Sequence, residues 1–177
     1  MKIIEIPAKL PLYLFIAGEE LVDNTFGEGL FFRQTWDSSI HQWVALEEGW
    51  YNYDIDTNLN GTYDELVGYC SAQINQEESL GILKTSVVNL SRQKNGIGDV
   101  MVKHRLKWLQ EQGVQTIKSY AWFVDGAVPA QKMLINNGFE PKDDIKGYWN
   151  DHHNKNFPCK VCGSNCKCIA RIFEYKG

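Results

Sequence analysis

The segment Gln93-Lys94-Asn95-Gly96-Ile97-Gly98 sits where the hydrophobic period of the chain changes. Before it, Gly81 to Leu90 contains Val87-Val88 and reads as a strand. After it, Val102, Leu106 and Leu109 recur at i, i+4 and i+7, with Met101 and Trp108 beside them. Gly98 to Gln112 is therefore expected to be an amphipathic helix. Gly113 stands where a left-handed C-terminal cap belongs. The two glycines thus join a strand to a helix start. Such a start carries unpaired N–H groups and partial positive charge, and holds phosphate well. Glycine lets the backbone approach that phosphate closely. Lys94 and Arg92 add positive charge nearby. A dinucleotide-binding turn asks for a third Gly or Ala, where this chain has Met101. A P-loop asks for Gly-Lys-Ser/Thr, a tripeptide the chain lacks. On the glycines alone, an ordinary tight turn into a helix stays open.

Outward from this point the chain reads as an alternation. Lys2 to Ile6 is expected as a strand, and one or two helices are expected around Tyr13–Leu21 and Leu30–Trp36. His41 to Glu47, Leu66 to Ile74 and Gly81 to Leu90 form a run of three strands. A polar loop from Asp54 to Glu65 separates the first two. Thr116 to Phe123 returns to strand character. Pro129 to Asn137 makes a short helix, with Pro129 near its first turn and Gly138 as its stop. Tyr148-Trp149 and Ile169 to Tyr175 are expected as a final strand pair. A strand–helix–strand unit in mid-chain favours a mixed α/β sheet with helices on both faces.

In this order of elements, Val87 to Phe139 resembles the GNAT superfamily of N-acetyltransferases. That family's phosphate turn reads Gln/Arg-x-x-Gly-x-Gly/Ala between a strand and a helix, and Gln93-x-x-Gly96-x-Gly98 matches each defined position. Further on, the family's strand and short helix ending in Gly-Phe correspond to Ile117–Phe123, Ala130–Asn137 and Gly138-Phe139. The resemblance implies a mostly antiparallel central sheet with a V-shaped splay between two parallel strands. It implies acetyl-CoA as donor, with pantetheine in the splay against backbone near Val88. The amides of Gln93, Lys94, Asn95, Gly96, Ile97, Gly98 and Asp99 would hold the pyrophosphate. The implied reaction is direct attack of an amine on the thioester carbonyl.

Two family positions differ here. Where the family often carries a Tyr, thought to protonate the leaving thiolate, this chain has Leu134. Where an Asn commonly precedes that helix, it has Ala127. Tyr120, or Ser119 beside it, is the candidate substitute, and simple packing is the competing role for Tyr120. Glu47, Asp64, Glu65 and Asp125 are candidate bases, each also readable as a solvated carboxylate. A water chain would make a base unnecessary. A second functional class also stands: a non-catalytic module that binds CoA or a protein partner.

Cys159, Cys162, Cys166 and Cys168 fall within ten residues. Four soft thiolates at short spacing suit tetrahedral zinc, with His152 or His153 available in place of one sulfur. Disulfides, free thiols or an iron–sulfur cluster are the alternatives. Residues 150–168 are read as a zinc-bound insertion, stapled by a structural ion, within a single domain spanning 1–177. Its lysines would suit an anionic acceptor or nucleic acid, though a solvated basic surface accounts for them as well.

Asp56-x-Asn58-x-Asn60-Gly61 matches the opening of a calcium loop, but Val67 occupies the twelfth position, where a bidentate Glu belongs. Asn60-Gly61 as a hairpin turn is the favoured reading. Cys70 is expected to be buried, His104 to lie on the surface, and His41 to begin a strand.

The net charge of −4 gives no field for non-specific binding to DNA or membrane. At 177 residues and 44% apolar, the chain has enough apolar mass for a core, which excludes general disorder. No apolar run approaches a membrane span, and no signal peptide is read at the start, so the expected compartment is the cytoplasm. The expected partners are acetyl-CoA and an unidentified amine, small molecule or protein.

Overall fold

The computed structural model describes residues 1–6, 11–53, 59–124, 126–149, 160–163 and 166–177. Seven strands form one sheet: β1 (Lys2–Ile6), β2 (Ile40–Tyr53), β3 (Leu59–Asn75), β4 (Leu80–Val88), β5 (Thr116–Phe123), β6 (Phe139–Lys146) and β7 (Ile169–Tyr175). Their spatial order is β1-β2-β3-β4-β5-β7-β6. All neighbours are antiparallel except β4 and β5, which are parallel and joined by a helical crossover. Among the described residues four helices cover the faces: α1 (Leu12–Phe26), α2 (Leu30–Trp36), α3 (Ile97–Glu111) and α4 (Gln131–Asn136). A 3-10 turn, Leu90–Arg92, leads from β4 toward α3.

Each face buries its own apolar cluster. On one face Met101, Val102, Leu106 and Leu109 of α3 and Leu134 of α4 pack on Val67, Cys70, Leu83, Ile117 and Phe173. On the other, Leu14 and Val22 of α1 and Phe31 of α2 pack on Val44, Leu46, Tyr69 and Val87. The period-2 alternation of the strands and the 3.6-residue stripe of α3 make this division possible. Helix and sheet approach closely at Gly81, where a Cβ would lie 2.8 Å from a Leu109 methyl. Two expectations are met here: Cys70 is fully buried, and helices lie on both faces.

Three expectations need correction. The strand paired with β7 is Phe139–Lys146, while Tyr148 and Trp149 lie in a helical turn. β6 escaped detection because Glu140 to Asp144 are all exposed and polar or Pro, as suits a strand at the sheet's edge. Asn60 and Gly61 are not the hairpin turn: they pair with Asn52 and Tyr51 inside β3. Residues 59–65 thus belong to a strand, because the β2 ladder overrides their weak intrinsic strand preference. The connection itself, with Asp56 and Asn58 of the calcium reading, lies outside the described residues. His104 is half-buried, edge-on to Trp43 at 5.5 Å, because α3 turns it toward the sheet.

β4 carries an irregularity. Cys70 pairs with Ser86, but Ala72 pairs with Leu83, so Lys84 and Thr85 face the single residue Ser71. This is a β-bulge. Its extra residue inverts the side chains that follow. Leu83 accordingly joins the α3-face cluster, while Val87, an even number of residues later, joins the α1-face cluster.

Lys84 lies in that bulge with its ammonium 3.0 Å from Gln73 Oε1. Burial lowers its pKa from the ordinary 10.5 to about 8, against an opposing pull from Asp37. Below about pH 8 folded and unfolded chains both carry the proton; between there and 10.5 only the unfolded chain does. Folding therefore strengthens as pH rises through this window. Denaturant midpoints at pH 7, 9 and 10 should show wild type gaining on Lys84→Met with pH. A constant difference between the two would refute the buried-ammonium account.

Candidate functional site

The parallel pair β4–β5 is the only place in the described sheet where two strands point the same way and then part. Hydrogen-bonded register runs from Leu80↔Thr116 to Leu83↔Ser119 and stops there. Both strands continue, β4 to Val88 and β5 to Phe123, and β5 beyond this point pairs only with β7. Asn89 N–H donates to Val67 O, so alternation turns the N–H and C=O of Ser86 and Val88 toward the gap. The gap is the V-shaped splay the sequence led us to expect.

The glycine turn stands at the open end of this gap. Gln93 through Gly96 are exposed, while Ile97 is buried in the α3-face core and anchors the turn. Lys94 and Gly96 both have positive φ, 66° and 78°. Gly96 is the residue before the first helical turn, and no side chain among the described residues caps α3. The first intrahelical bond is Val100 N–H to Gly96 O, at 3.1 Å. The amides of Ile97, Gly98 and Asp99 therefore have no intrahelical acceptor. The Gln93 side chain donates to Val88 O at 3.2 Å, tying the turn to the end of β4. That carbonyl is thus already engaged, leaving the Val88 N–H and the Ser86 groups facing the gap. Asp99 Oδ1 accepts from Asn137 Nδ2 at 2.8 Å, which directs this carboxylate toward α4.

The two glycines serve different needs. At Gly96 a Cβ would meet nothing within 4 Å, so conformation alone demands glycine. At Gly98 a Cβ would lie 2.7 Å from Met133 Sδ, so close packing of α3 on α4 is the constraint.

Arg92 is engaged away from the turn. Its guanidinium lies 2.5 Å from Glu65 Oε2 and 3.9 Å from Glu47 Oε2. Two of the candidate bases are thus ion-paired to one arginine. Asp125 and the Asp64 side chain are outside the described residues. His41 is distant from the gap: it sits on Trp108 at 4.4 Å with Nδ1 3.1 Å from Glu5. Leu134, at the family's tyrosine position, is a core residue, 2% exposed.

Tyr120 is the first β5 residue past the last pair with β4. Its neighbours Ser119 and Ala121 are buried, Ala121 within the α3-face core, so Tyr120 turns to the α1 face. There it stacks on Tyr148, with centroids 4.6 Å apart and planes at 12°. Burial, and behind it the Glu78 charge, raises the Tyr120 pKa, so the phenol keeps its proton at neutral pH.

Cys162, Cys166 and Cys168 converge, their sulfurs all within 4.8 Å of one another. Cys162 and Cys168 are 3.3 Å apart. Thiolates at about 2.3 Å from a tetrahedral zinc would be about 3.8 Å apart, so this set fits such an ion. Cys159, the fourth expected ligand, lies outside the described residues. The cluster immediately precedes β7, whose Ile169 pairs with Phe123 at the end of β5. Gly147 N–H donates to Cys168 O at 3.0 Å, and the Lys160 ammonium contacts Asn24 O near the end of α1.

With this geometry in hand, similarity to known proteins is informative. The acetyltransferase (GNAT) family matches residues 19–139. The chain belongs to that family. Among solved structures, an aminoglycoside 6′-N-acetyltransferase complexed with coenzyme A is 16% identical, TM-score 0.66, over 98% of this chain and 96% of that one. A GNAT family acetyltransferase from Elizabethkingia anophelis with acetyl-CoA bound is 15% identical, TM-score 0.65, over 99% and 97%. A Bacillus subtilis acetyltransferase in complex with CoA is 13% identical, TM-score 0.61, over 97% and 96%. At these identities the likeness is one of fold. Comparison with curated proteins finds no match. No helix among the described residues is long and apolar enough to cross a membrane.

Two contacts, Gln93 on Val88 O and Asn137 on Asp99, were not foreseen from the sequence. Both join residues close in the fold through amide side chains, which carry no periodic signature.

The differing roles of the glycines predict a contrast. Gly96→Ala should cost about 1–2 kcal/mol through its left-handed backbone. Gly98→Ala should stay within about 1 kcal/mol of wild type, because Met133 can swing aside and alanine favours the helix. Denaturant unfolding of both variants checks this; equal losses would contradict it.

Proposed function

We propose that this protein transfers an acetyl group from acetyl-CoA to an amine by direct attack on the thioester. The observation that carries the reading is the β4–β5 gap opening beside the uncapped start of α3. A diphosphate at the amides from Gln93 to Asp99 would point its pantetheine arm into that gap. Ser86 and Val88 would then offer that arm the backbone groups that β4 offers to β5 in the paired half. One neighbour in fold is named for N-acetyl transfer to an aminoglycoside, and amine as the nucleophile is all we carry over.

The protein's part is to hold both reactants in line and to exclude water. The attacking amine must arrive neutral, and its proton would leave through water, since Glu47 and Glu65 are held by Arg92. In this reading Tyr120 donates a proton to the departing thiolate. Its raised pKa keeps that proton available, and its stacking on Tyr148 fixes the ring. Residues 1–177 act as one domain, placed in the cytoplasm. Cys159, Cys162, Cys166 and Cys168 hold a structural zinc. The ion would staple the segment between β6 and β7, and with four sulfur ligands it has no open position for chemistry.

Calorimetric titration with acetyl-CoA should show binding, whereas no heat at millimolar ligand would end the reading. Release of free thiol in the presence of panels of amines, peptides and nucleosides then finds the acceptor. Binding without turnover by any amine would instead favour a non-catalytic module. With the acceptor in hand, Tyr120→Phe should lower kcat by about 10²-fold while leaving the acetyl-CoA KM unchanged. An unaltered kcat would return Tyr120 to a packing role.

The zinc reading makes its own prediction. Purified protein should carry one zinc per chain by elemental analysis, and Cys166→Ser should lose both the metal and thermal stability. Protein that is metal-free and fully folded would reject the staple.

A further inference from the structure

A charged residue lies at the centre of the fold without a counter-ion among the described residues. Arg105 of α3 is 1% exposed. It points from the buried stripe of α3 into the sheet, on the face opposite α1. Its guanidinium donates from one terminal nitrogen to Ser71 O at 3.0 Å and to Thr85 O at 3.1 Å. The other terminal nitrogen lies 2.6 Å from Ser86 Oγ, and Nε donates to Met101 O at 3.2 Å. All four partners are neutral oxygens. Burying a cation this way is costly unless every donor finds an acceptor with good geometry.

The choice of partners shows what the charge is for. Ser71 and Thr85 belong to the bulge itself, and Ser86 is the next residue of β4. A bulge interrupts the ladder and strands backbone groups that would otherwise pair. Arg105 takes up two of the carbonyls there, one from each strand. On the opposite face Gln34 of α2 completes the arrangement. Its Nε2 donates to Thr85 Oγ1 at 2.6 Å, and its Oε1 accepts from Ser71 Oγ at 2.9 Å. Thr85 N–H in turn donates to Ser71 Oγ at 3.1 Å. The bulge is clasped from both sides of the sheet.

Its position explains the gap. The last pair between β4 and β5 is Leu83↔Ser119, and the bulge begins at the next residue of β4. A bulge bends its strand and increases local twist. Here the bend leaves β4 parted from β5 just where the cleft opens.

We propose that Arg105 is a positioning residue: by pinning the β4 bulge from α3, it holds the cleft open for the pantetheine arm of acetyl-CoA. This rests on the acetyl-transfer reading of the cleft. The same helix would then carry the diphosphate at its first turn and set the strand geometry from its third. The two halves of the cofactor site are thereby fixed relative to one another.

The test separates those halves. Adenosine 3′-phosphate 5′-diphosphate probes the diphosphate end alone, and acetyl-CoA probes both. In full-length Arg105→Lys, which keeps the charge but replaces the fork and its four bonds by one nitrogen of shorter reach, affinity for the diphosphate should stay within about twofold of wild type. Affinity for acetyl-CoA should fall about tenfold to hundredfold. Ser86→Ala, which removes only one of the four bonds, should shift acetyl-CoA in the same direction by less. Parallel losses of both ligands, or no loss of either, would overturn the proposal. Amide hydrogen exchange without ligand supplies an independent readout. Exchange across residues 80–88 should quicken in Arg105→Lys while residues 12–26 are unchanged. Unchanged exchange at 80–88 would also overturn it. If wild-type protein bound no acetyl-CoA, the acetyl-transfer reading would fall, and the exchange data would still decide whether Arg105 pins the bulge.

Discussion

Two parallel strands that begin hydrogen-bonded and finish apart have to dispose of the backbone groups they leave behind. In this protein the parting begins beside a bulge that takes backbone groups of Ser71 and Thr85 out of the β3–β4 ladder, and side chains from both faces hold that bulge. Arg105 reaches in from α3 and Gln34 from α2. Without such partners the bulge would bury unsatisfied carbonyls in an apolar core, a cost comparable to the loss of whole hydrogen bonds. With them, the strand can bend at Lys84–Thr85 and still be rigid. The inversion of side chains between Leu83 and Val87 follows from this one irregularity, and the gap opens beside it.

The turn at Gln93–Gly98 depends on the same region from the other side. Gln93 ties it to the end of β4, Ile97 anchors it in the core, and Asn137 turns the Asp99 carboxylate toward α4. The turn is thus held at three points while its amides remain available. Here the exposed and the buried halves of one short segment do different work: the buried half fixes position, and the exposed half is left for a ligand.

What could be read in the sequence followed the strength of each physical signal. β5 was legible to the residue, because Thr116–Phe123 is an apolar alternation bounded by turn residues. α3 was legible from its stripe, and the phosphate turn from its glycines. The stripe also contained the clue to Arg105, a charge four residues from both Met101 and Leu109 on a face that is otherwise apolar. That clue stayed silent, because sequence alone does not say that a bulge lies opposite. β6 was hidden by its polar composition, and the inner half of β3 by its Asn, Gly and Asp residues. In both cases pairing with a neighbour decided the structure where intrinsic preference pointed elsewhere. The three described cysteines were grouped correctly from spacing, since ligands so close in sequence need little help from the fold to meet.

One feature of the sheet bears on how the molecule behaves in company. β6 forms one rim, with five successive exposed positions, Pro141 among them, and a break in register between Pro141 and Asp144. A rim that lacks a donor at the proline, carries charges and is kinked makes a poor template for another chain. The opposite rim, β1, is short and contains no proline. With the β6 border closed to strand addition, an edge-to-edge pairing through β1 would use the open border of both copies and stop at two.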